Sequence, residues 1–319
     1  MAPTVSAVLD ASSRPTVLDG GLGTALEARG LDLDHDLWSA ALVRDRPEIL
    51  AEVHAAFAAA GARVLTTASY QISPLGLARA GLSPAAGRAL ITDSVAVARE
   101  AAAREAAARE AAAKEAGAGA ALIAGSVGPY GAALGDGSEY TGAYRLTAAE
   151  FAAFHRPRIA ALVDSGVDLL ALETQPCLPE IRVLAELVDA HAVPAWLTVT
   201  LSDDGTHLPD GTPLSTVAEA VAGTPLIRGL GVNCVRPSLV APALKALGRA
   251  TDLPLVAYPN SGETYDAATM TWRTGTATPA AWPVQTWTDL GARLIGGCCR
   301  TTPDDIAVLA RRLRASSPD

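Results

Sequence analysis

A chain of 319 residues, half of them hydrophobic and few of them aromatic, can fill one large domain or two ordinary ones with a core of small side chains. Its formal charge of −9, from 34 acidic against 25 basic side chains, comes without a basic patch and argues against nucleic acid as a partner. Four cysteines are too few for a disulfide scaffold in a chain this long, so a metal site or catalysis is the better use for them.

Residues 1–15 place Asp10 in their only apolar stretch and have no basic region before it. They therefore do not read as a signal peptide, and a poorly ordered N-terminal tail is expected. Beyond them, short β-type runs alternate with longer helical patterns. Strands are expected near Thr16–Asp19, Arg63–Thr67, Leu122–Val127, Asp168–Glu173, Ala195–Leu201, Arg228–Asn233, Leu255–Tyr258 and Arg293–Ile295. Apolar residues at helical spacing, with Pro near several first turns, mark Pro47–Ala60, Ala148–Asp164, Leu178–Ala190, Pro237–Gly248 and Pro303–Arg314. Eight β-then-α units predict an α/β fold, a single-domain (β/α)8 TIM barrel over residues 16–314 followed by a tail at 315–319. An open doubly wound sheet is the alternative.

Residues 100–116 are rich in Ala, Glu and Arg, with Glu preceding Arg or Lys by four positions. That order favours a helix, read here as an overgrown exterior helix rather than a rigid spacer. The longest uncharged run, Ala116 to Gly135, is broken by five glycines and Pro129. It suits a strand between turns, not a membrane span. A cytoplasmic chain with no membrane association is expected.

Several expected strands end in residues that would be odd in a core: Asp19, Ser69–Tyr70, Ser126, Glu173, Asn233–Cys234, Asn260 and Cys298–Cys299. In a barrel the C-terminal strand ends ring one face, where the chemistry is done. Cys234 closes GLGVNC, and Cys298 and Cys299 close RLIGGCC, 64 positions further on. Only a closed fold could bring the three thiols together. Adjacent cysteines can be ordinary buried small residues, but three sulfurs at strand ends suit zinc with one coordination position open. Gly296 and Gly297 are expected to let the backbone bend so that both sulfurs face one ion. Cys177, beyond Pro176, reads as a helix-start residue rather than a fourth ligand. Three thiolates on Zn2+ would leave an electron-rich centre, suited to activating a substrate thiol rather than making a strong hydroxide.

At this point the stretches LDGGLGTALEARG, LWSA, TTASYQ, AGSVGPYG with DGSEYTG, FHRPR, ALET, DGTPL, GVNC, YPNSGE and ARLIGGCCRTTP resemble the homocysteine S-methyltransferase family, in its single-domain, S-methylmethionine-using form. The resemblance runs from about Thr16 to Arg314. It implies a (β/α)8 barrel and one zinc ion per chain held by Cys234, Cys298 and Cys299. It further implies that Asp19 and Glu173 hold the amino group of L-homocysteine, with backbone groups around Gly20 and Gly21 taking its carboxylate. Two carboxylates at one barrel mouth can indeed pair with an ammonium. Trp38 and Tyr70 match positions near the donor site, where aromatic faces suit a sulfonium cation. Asn260 lies at another strand end, and Asn233 is expected to orient the site beside Cys234. Turn chemistry for Asp19, a strand-end ion pair for Glu173, core packing for Trp38 and Tyr70, and a structural role for Asn233 remain open. GGLGT lacks the third glycine of a dinucleotide loop, and the five histidines form no ligand pattern.

The expected activity is zinc-dependent transfer of a methyl group from S-methylmethionine to L-homocysteine, giving methionine, by a monomer or weak homodimer. S-adenosylmethionine or betaine as donor is the near alternative, and a structural-zinc binding module the distant one.

Overall fold

The strands form in the order the sequence predicts. They are β1 (Thr16–Val17), β2 (Val64–Thr66), β3 (Leu122–Val127), β4 (Leu169–Gln175), β5 (Ala195–Val199), β6 (Ile227–Asn233) and β7 (Leu255–Tyr258). A small antiparallel pair, β8 (Thr264–Asp266) and β9 (Thr271–Arg273), precedes the last barrel strand, β10 (Ala292–Ile295). The computed structural model describes residues 3–12, 14–31, 33, 41–112, 119–266, 271–273 and 279–315. Trp38, residues 113–116 of the Ala-rich segment and residues 316–319 of the C-terminal tail lie outside that set.

Eight parallel strands run side by side in the order β1-β10-β7-β6-β5-β4-β3-β2. The ring closes where Leu18 bridges Val64 and the Arg63 N–H donates to the Val17 carbonyl at 2.8 Å. Each strand returns through helix, as buried parallel strands require. The longer returns are Pro47–Ala60, Pro84–Ala111, Ala148–Asp164, Leu178–His191, Leu214–Val221, Pro237–Leu247 and Pro303–Ala315, with a short one at Val284–Asp289. The fold is the (β/α)8 barrel.

Local signals explain the helix starts. Proline occupies the first turn at Pro47, Pro84 and Pro237, where its missing N–H costs nothing. Thr147 and Glu150 form a reciprocal capping box at Ala148–Asp164. Residues 100–111 of the Ala-rich segment lie in the second half of one 28-residue helix, Pro84–Ala111, with Ala98, Ala101 and Ala102 buried. Its outer side carries i,i+4 pairs Glu100–Arg104 (2.8 Å) and Glu105–Arg109 (3.2 Å).

Two apolar layers result. Strand residues facing outward pack on the helices, while inside the ring Leu18, Val64, Ala124, Leu169, Ala171, Trp196, Val256, Tyr258 and Leu294 form a second cluster. Val8 and Leu9, each 3% exposed, join that inner cluster. Val8 ends and Leu9 caps a short helix, Val5–Val8, whose start is capped by the Thr4 hydroxyl. Arg293, at the start of β10, donates to the Ala11 carbonyl at 2.8 Å. The N-terminal segment therefore plugs the barrel at the N-terminal ends of its strands. Where a poorly ordered tail was expected, the segment is anchored by two apolar side chains seated inside the ring and by the Arg293–Ala11 hydrogen bond. Among the described residues no helix is long and apolar enough to cross a membrane.

Leu9→Ala is expected to lower unfolding free energy by about 2–4 kcal/mol through lost burial and a residual cavity. Urea unfolding should show the shift, with the metal content of the folded protein unchanged because the plug lies at the opposite end from the cysteines.

Candidate metal centre and substrate site

At the C-terminal ends of the strands the three cysteines converge. Cys234 follows β6, and Cys298 and Cys299 follow β10 after Gly296–Gly297. Their sulfurs lie within 4.8 Å of one another, with Cys234 Sγ 2.7 Å from Cys298 Sγ and 3.5 Å from Cys299 Sγ. A tetrahedral ion holding thiolates at about 2.3 Å sets its sulfurs roughly 3.8 Å apart. The trio thus fits such an ion once Cys234 and Cys298 part slightly. Hydrogen bonds from Cys234 and then Cys298 push the Cys299 thiol well below its ordinary value.

Backbone geometry aims these sulfurs. Cys234 has φ +52° and Arg300, directly after Cys299, has φ +62°. Neither Gly296 nor Gly297 is left-handed, contrary to the expected bend. Instead both glycines permit close packing: a Cβ on Gly297 would lie 2.4 Å from Thr301 Oγ1, and one on Gly296 2.6 Å from Leu18 Cβ. The GGCC loop is zipped to the strand-end stretch YPNSGE. The Cys298 N–H donates to the Pro259 carbonyl (2.8 Å), the Ser261 N–H to the Cys299 carbonyl (3.0 Å), and Arg300 pairs with Glu263 at 2.5 Å.

Beside the sulfurs lie the two expected carboxylates, both buried. Asp19 Oδ2 accepts from the Thr66 N–H (2.7 Å) and hydroxyl (2.9 Å). Burial nevertheless pushes it up to about 7, with the Glu173 charge adding to the effect. Glu173 accepts from the Ser126 hydroxyl and, at 3.1 Å, from Tyr258. It too is pushed up to about 7, chiefly by burial and further by Cys234. Tyr258 is itself fixed by Trp196 Nε1 (3.1 Å) and Thr198 Oγ1 (2.7 Å). Two interacting carboxylates kept from water make a receptor for an ammonium.

The other expected residues divide. Gly21 lines the site floor, but its N–H already donates to the Thr301 carbonyl (3.1 Å) and hydroxyl (3.0 Å), so it is not free to take a carboxylate. Gly20 is buried, and a Cβ there would lie 2.8 Å from Phe57. Asn233, expected among the substrate-binding residues, is wholly engaged by Thr174. Its Oδ1 accepts the Thr174 N–H (2.7 Å) and its Nδ2 donates to Thr174 Oγ1 (2.8 Å). It thereby holds Thr174 at φ +62°, and the Thr174 hydroxyl reaches the Tyr70 phenol. Tyr70 is thus oriented from β6 through β4. Asn260 is 8% exposed, and its Oδ1 lacks a partner among the described residues. Trp38 is outside the described residues.

Other groups at the site were less visible. Tyr140 brings its hydroxyl to 3.7 Å from Cys234 Sγ, and Glu139 beside it is half-buried, with desolvation pushing it up to about 7. Both sit in DGSEYTG, a loop with no periodicity to betray it. Arg158, in FHRPR, is the only buried Arg or Lys among the described residues. It donates to the carbonyls of Gly128 (2.9 Å), Ser69 (3.3 Å) and Tyr70 (2.7 Å). His155 and Tyr144 hold Glu180 at 2.6 and 2.5 Å beneath the same loops. Burial pushes the Cys177 thiol, 3.9 Å from Glu180, up to about 12. That cysteine stands apart from the trio.

Residues 16–313 match the homocysteine S-methyltransferase family. The homocysteine S-methyltransferase of Escherichia coli is 50% identical over 300 residues, covering 93% of this chain and 94% of that one. Homocysteine S-methyltransferase YbgG of Bacillus subtilis is 41% identical over 305 residues, covering 94% of each. The metallated form of the E. coli homocysteine methyltransferase MmuM superposes with a TM-score of 0.83 at 47% identity, over 94% of this chain and 97% of that one. The chain belongs to the homocysteine S-methyltransferase family. It is a methyltransferase, which removes the structural-metal module from consideration, and its cysteine trio is the candidate metal site of that enzyme.

With Asp19 raised from 3.8 to about 7 in the fold, the folded protein holds that proton more tightly than the unfolded chain. Its contribution to stability is therefore full at acid pH and is lost as pH rises through about 7. Asp19→Asn is expected to flatten that decline. Urea midpoints of ligand-free protein at about pH 5.5 and about pH 8 should differ less in the variant than in the wild type.

Proposed function

We propose that this enzyme moves a methyl group from S-methylmethionine to L-homocysteine, with zinc held by Cys234, Cys298 and Cys299. The observation that carries the reading is the all-sulfur donor set, closed on three sides, next to two buried carboxylates. Zinc bound there would supply the positive charge that strips the homocysteine thiol of its proton and would leave one position for that sulfur.

The chain's own residues do the rest. Asp19 and Glu173 pair with the amino group of homocysteine and fix its sulfur near the trio. Ser126, Tyr258 and Thr66 hold those carboxylates in place, so little reorganisation is needed when the amine arrives. Tyr70, fixed by Thr174 and by Arg158, offers an aromatic edge or face to the donor cation, and Trp38 is assigned beside it on the family resemblance. The homocysteine sulfur then attacks the donor methyl in line. One C–S bond forms as the other breaks, the electron pair of the broken bond stays on the donor sulfur, and the thiol proton leaves to solvent. No general base is required at the moment of transfer. Much of the rate comes from aligning the two sulfurs and the carbon. All of these residues come from one chain, so the proposed site needs no residue from a second subunit.

Cys298→Ala is expected to remove the zinc and to lower methyl transfer by about 10³-fold or more. Zinc counted per chain and methionine formed from each donor would check both parts. Turnover retained without metal would overturn the reading, and faster turnover with S-adenosylmethionine or betaine would replace the donor.

Because both carboxylates must be ionised to hold an ammonium, homocysteine binding should weaken as pH falls below about 7. The KM for homocysteine should rise by roughly tenfold per pH unit for each proton displaced. A KM that stays flat from about pH 5.5 to about pH 8 would exclude the two carboxylates as the amine receptor.

A further inference from the structure

Glu139 is a half-buried acid with no task in the scheme above. It lies in the turn Ser138–Tyr140, between β3 and the helix Ala148–Asp164. The turn is held firmly: Asp136 Oδ1 accepts the Ser138 N–H at 3.0 Å, and a Cβ on Gly131 would lie 2.6 Å from the Glu139 nitrogen. Glu139 Oε2 is fully shielded from solvent and has no hydrogen-bond partner among the described residues. Its neighbours place it at the sulfur cluster. Tyr140, next in sequence, contacts Cys234, and the Glu139 charge is felt at Tyr70, Tyr140, Cys234 and Cys299. Arg158, the nearby buried cation, directs its bonds to the carbonyls of Ser69, Tyr70 and Gly128 instead.

A shielded carboxylate oxygen without a partner is costly unless a ligand completes it. The amine of the acceptor is already assigned to Asp19 and Glu173, which leaves the donor. An amino-acid sulfonium brings two positive charges, and they behave differently during the reaction. The sulfonium becomes a neutral thioether, so a carboxylate against it would stabilise charge that the transfer destroys and would raise the barrier. The ammonium keeps its charge throughout, so pairing it with a carboxylate leaves the barrier untouched while binding the donor.

We propose that Glu139 receives the α-ammonium of the methyl donor and so selects amino-acid sulfonium donors over donors that lack an amine. This rests on the methyl-transfer reading given above. It leaves the sulfonium itself to the aromatic surface of Tyr70 and Tyr140.

The test compares Glu139→Gln, Glu139→Asp and Gly131→Ala with wild type, as zinc-loaded enzymes. S-Methylmethionine is set against dimethylsulfonioacetate, a sulfonium with no amine. Glu139→Gln is expected to lower kcat/KM for S-methylmethionine by roughly 30-fold or more, expressed mainly in its KM. The KM for homocysteine and the zinc per chain should stay within about twofold of wild type. Preference for the amine-bearing donor should shrink accordingly. Glu139→Asp should recover part of the loss, and Gly131→Ala, by pushing the turn away, should reproduce part of it. An unchanged donor KM in Glu139→Gln would overturn the assignment. So would an equal loss with both donors, which would place Glu139 against the sulfonium or make it merely structural. If wild type uses S-adenosylmethionine rather than S-methylmethionine, the donor reading fails while the same comparison, made with that amine-bearing donor, still decides Glu139. Turnover with amine-free donors alone would sink both.

Discussion

Uncompensated negative charge, gathered where the strands end and largely withdrawn from water, is the constraint on which the rest of the site depends. Asp19, Glu173, Glu139 and three thiols share that space, while Arg158 is turned toward backbone carbonyls. Left to itself the site keeps protons it would lose in water, as the raised carboxyls show. Each ligand assigned to it brings a cation: the metal, the acceptor amine and the donor. Binding is therefore an exchange of protons for fixed positive charge. The barrel contributes depth and dryness, which strengthen every such pairing.

The backbone is strained where this charge is organised. Among the described residues, four non-glycine positions have positive φ, and three of them, Thr174, Cys234 and Arg300, follow or end barrel strands at the site. Such conformations cost of order 1–3 kcal/mol each and persist only where the surroundings hold them. Here the restraints are explicit. Asn233 grips Thr174 from two sides, the Cys234 N–H donates to the Tyr258 carbonyl (3.2 Å), and the Arg300 N–H donates to Thr24 Oγ1 (2.8 Å). Residues that are distant in sequence thus fix the direction of each reactive group.

Much of this was legible in the chain before folding. Strand β3 and the helices Pro47–Ala60 and Ala148–Asp164 match their expected bounds, because an uncharged run between turn residues and terminal Pro or capping residues are local signals. The cysteine trio was readable because polar residues at the ends of apolar runs have no business in a core. What escaped depended on tertiary partners. Nothing local says that Val8 and Leu9 fill the barrel floor, since a short apolar stretch gains its meaning from the cavity that accepts it. Nor does DGSEYTG announce that Glu139 is shielded, as burial there comes from packing on Gly131. Asn233 beside a cysteine suggested an orienting role, but that both ends of its amide would hold Thr174 depends on a strand 59 residues away in sequence.

The plug at Val8 and Leu9 carries a further implication. With its floor sealed, the barrel is a cup with one opening, and that opening is also where the chemistry happens. Both substrates must enter through it and both products must back out. Traffic at the rim, rather than passage through the protein, then governs the order in which molecules come and go.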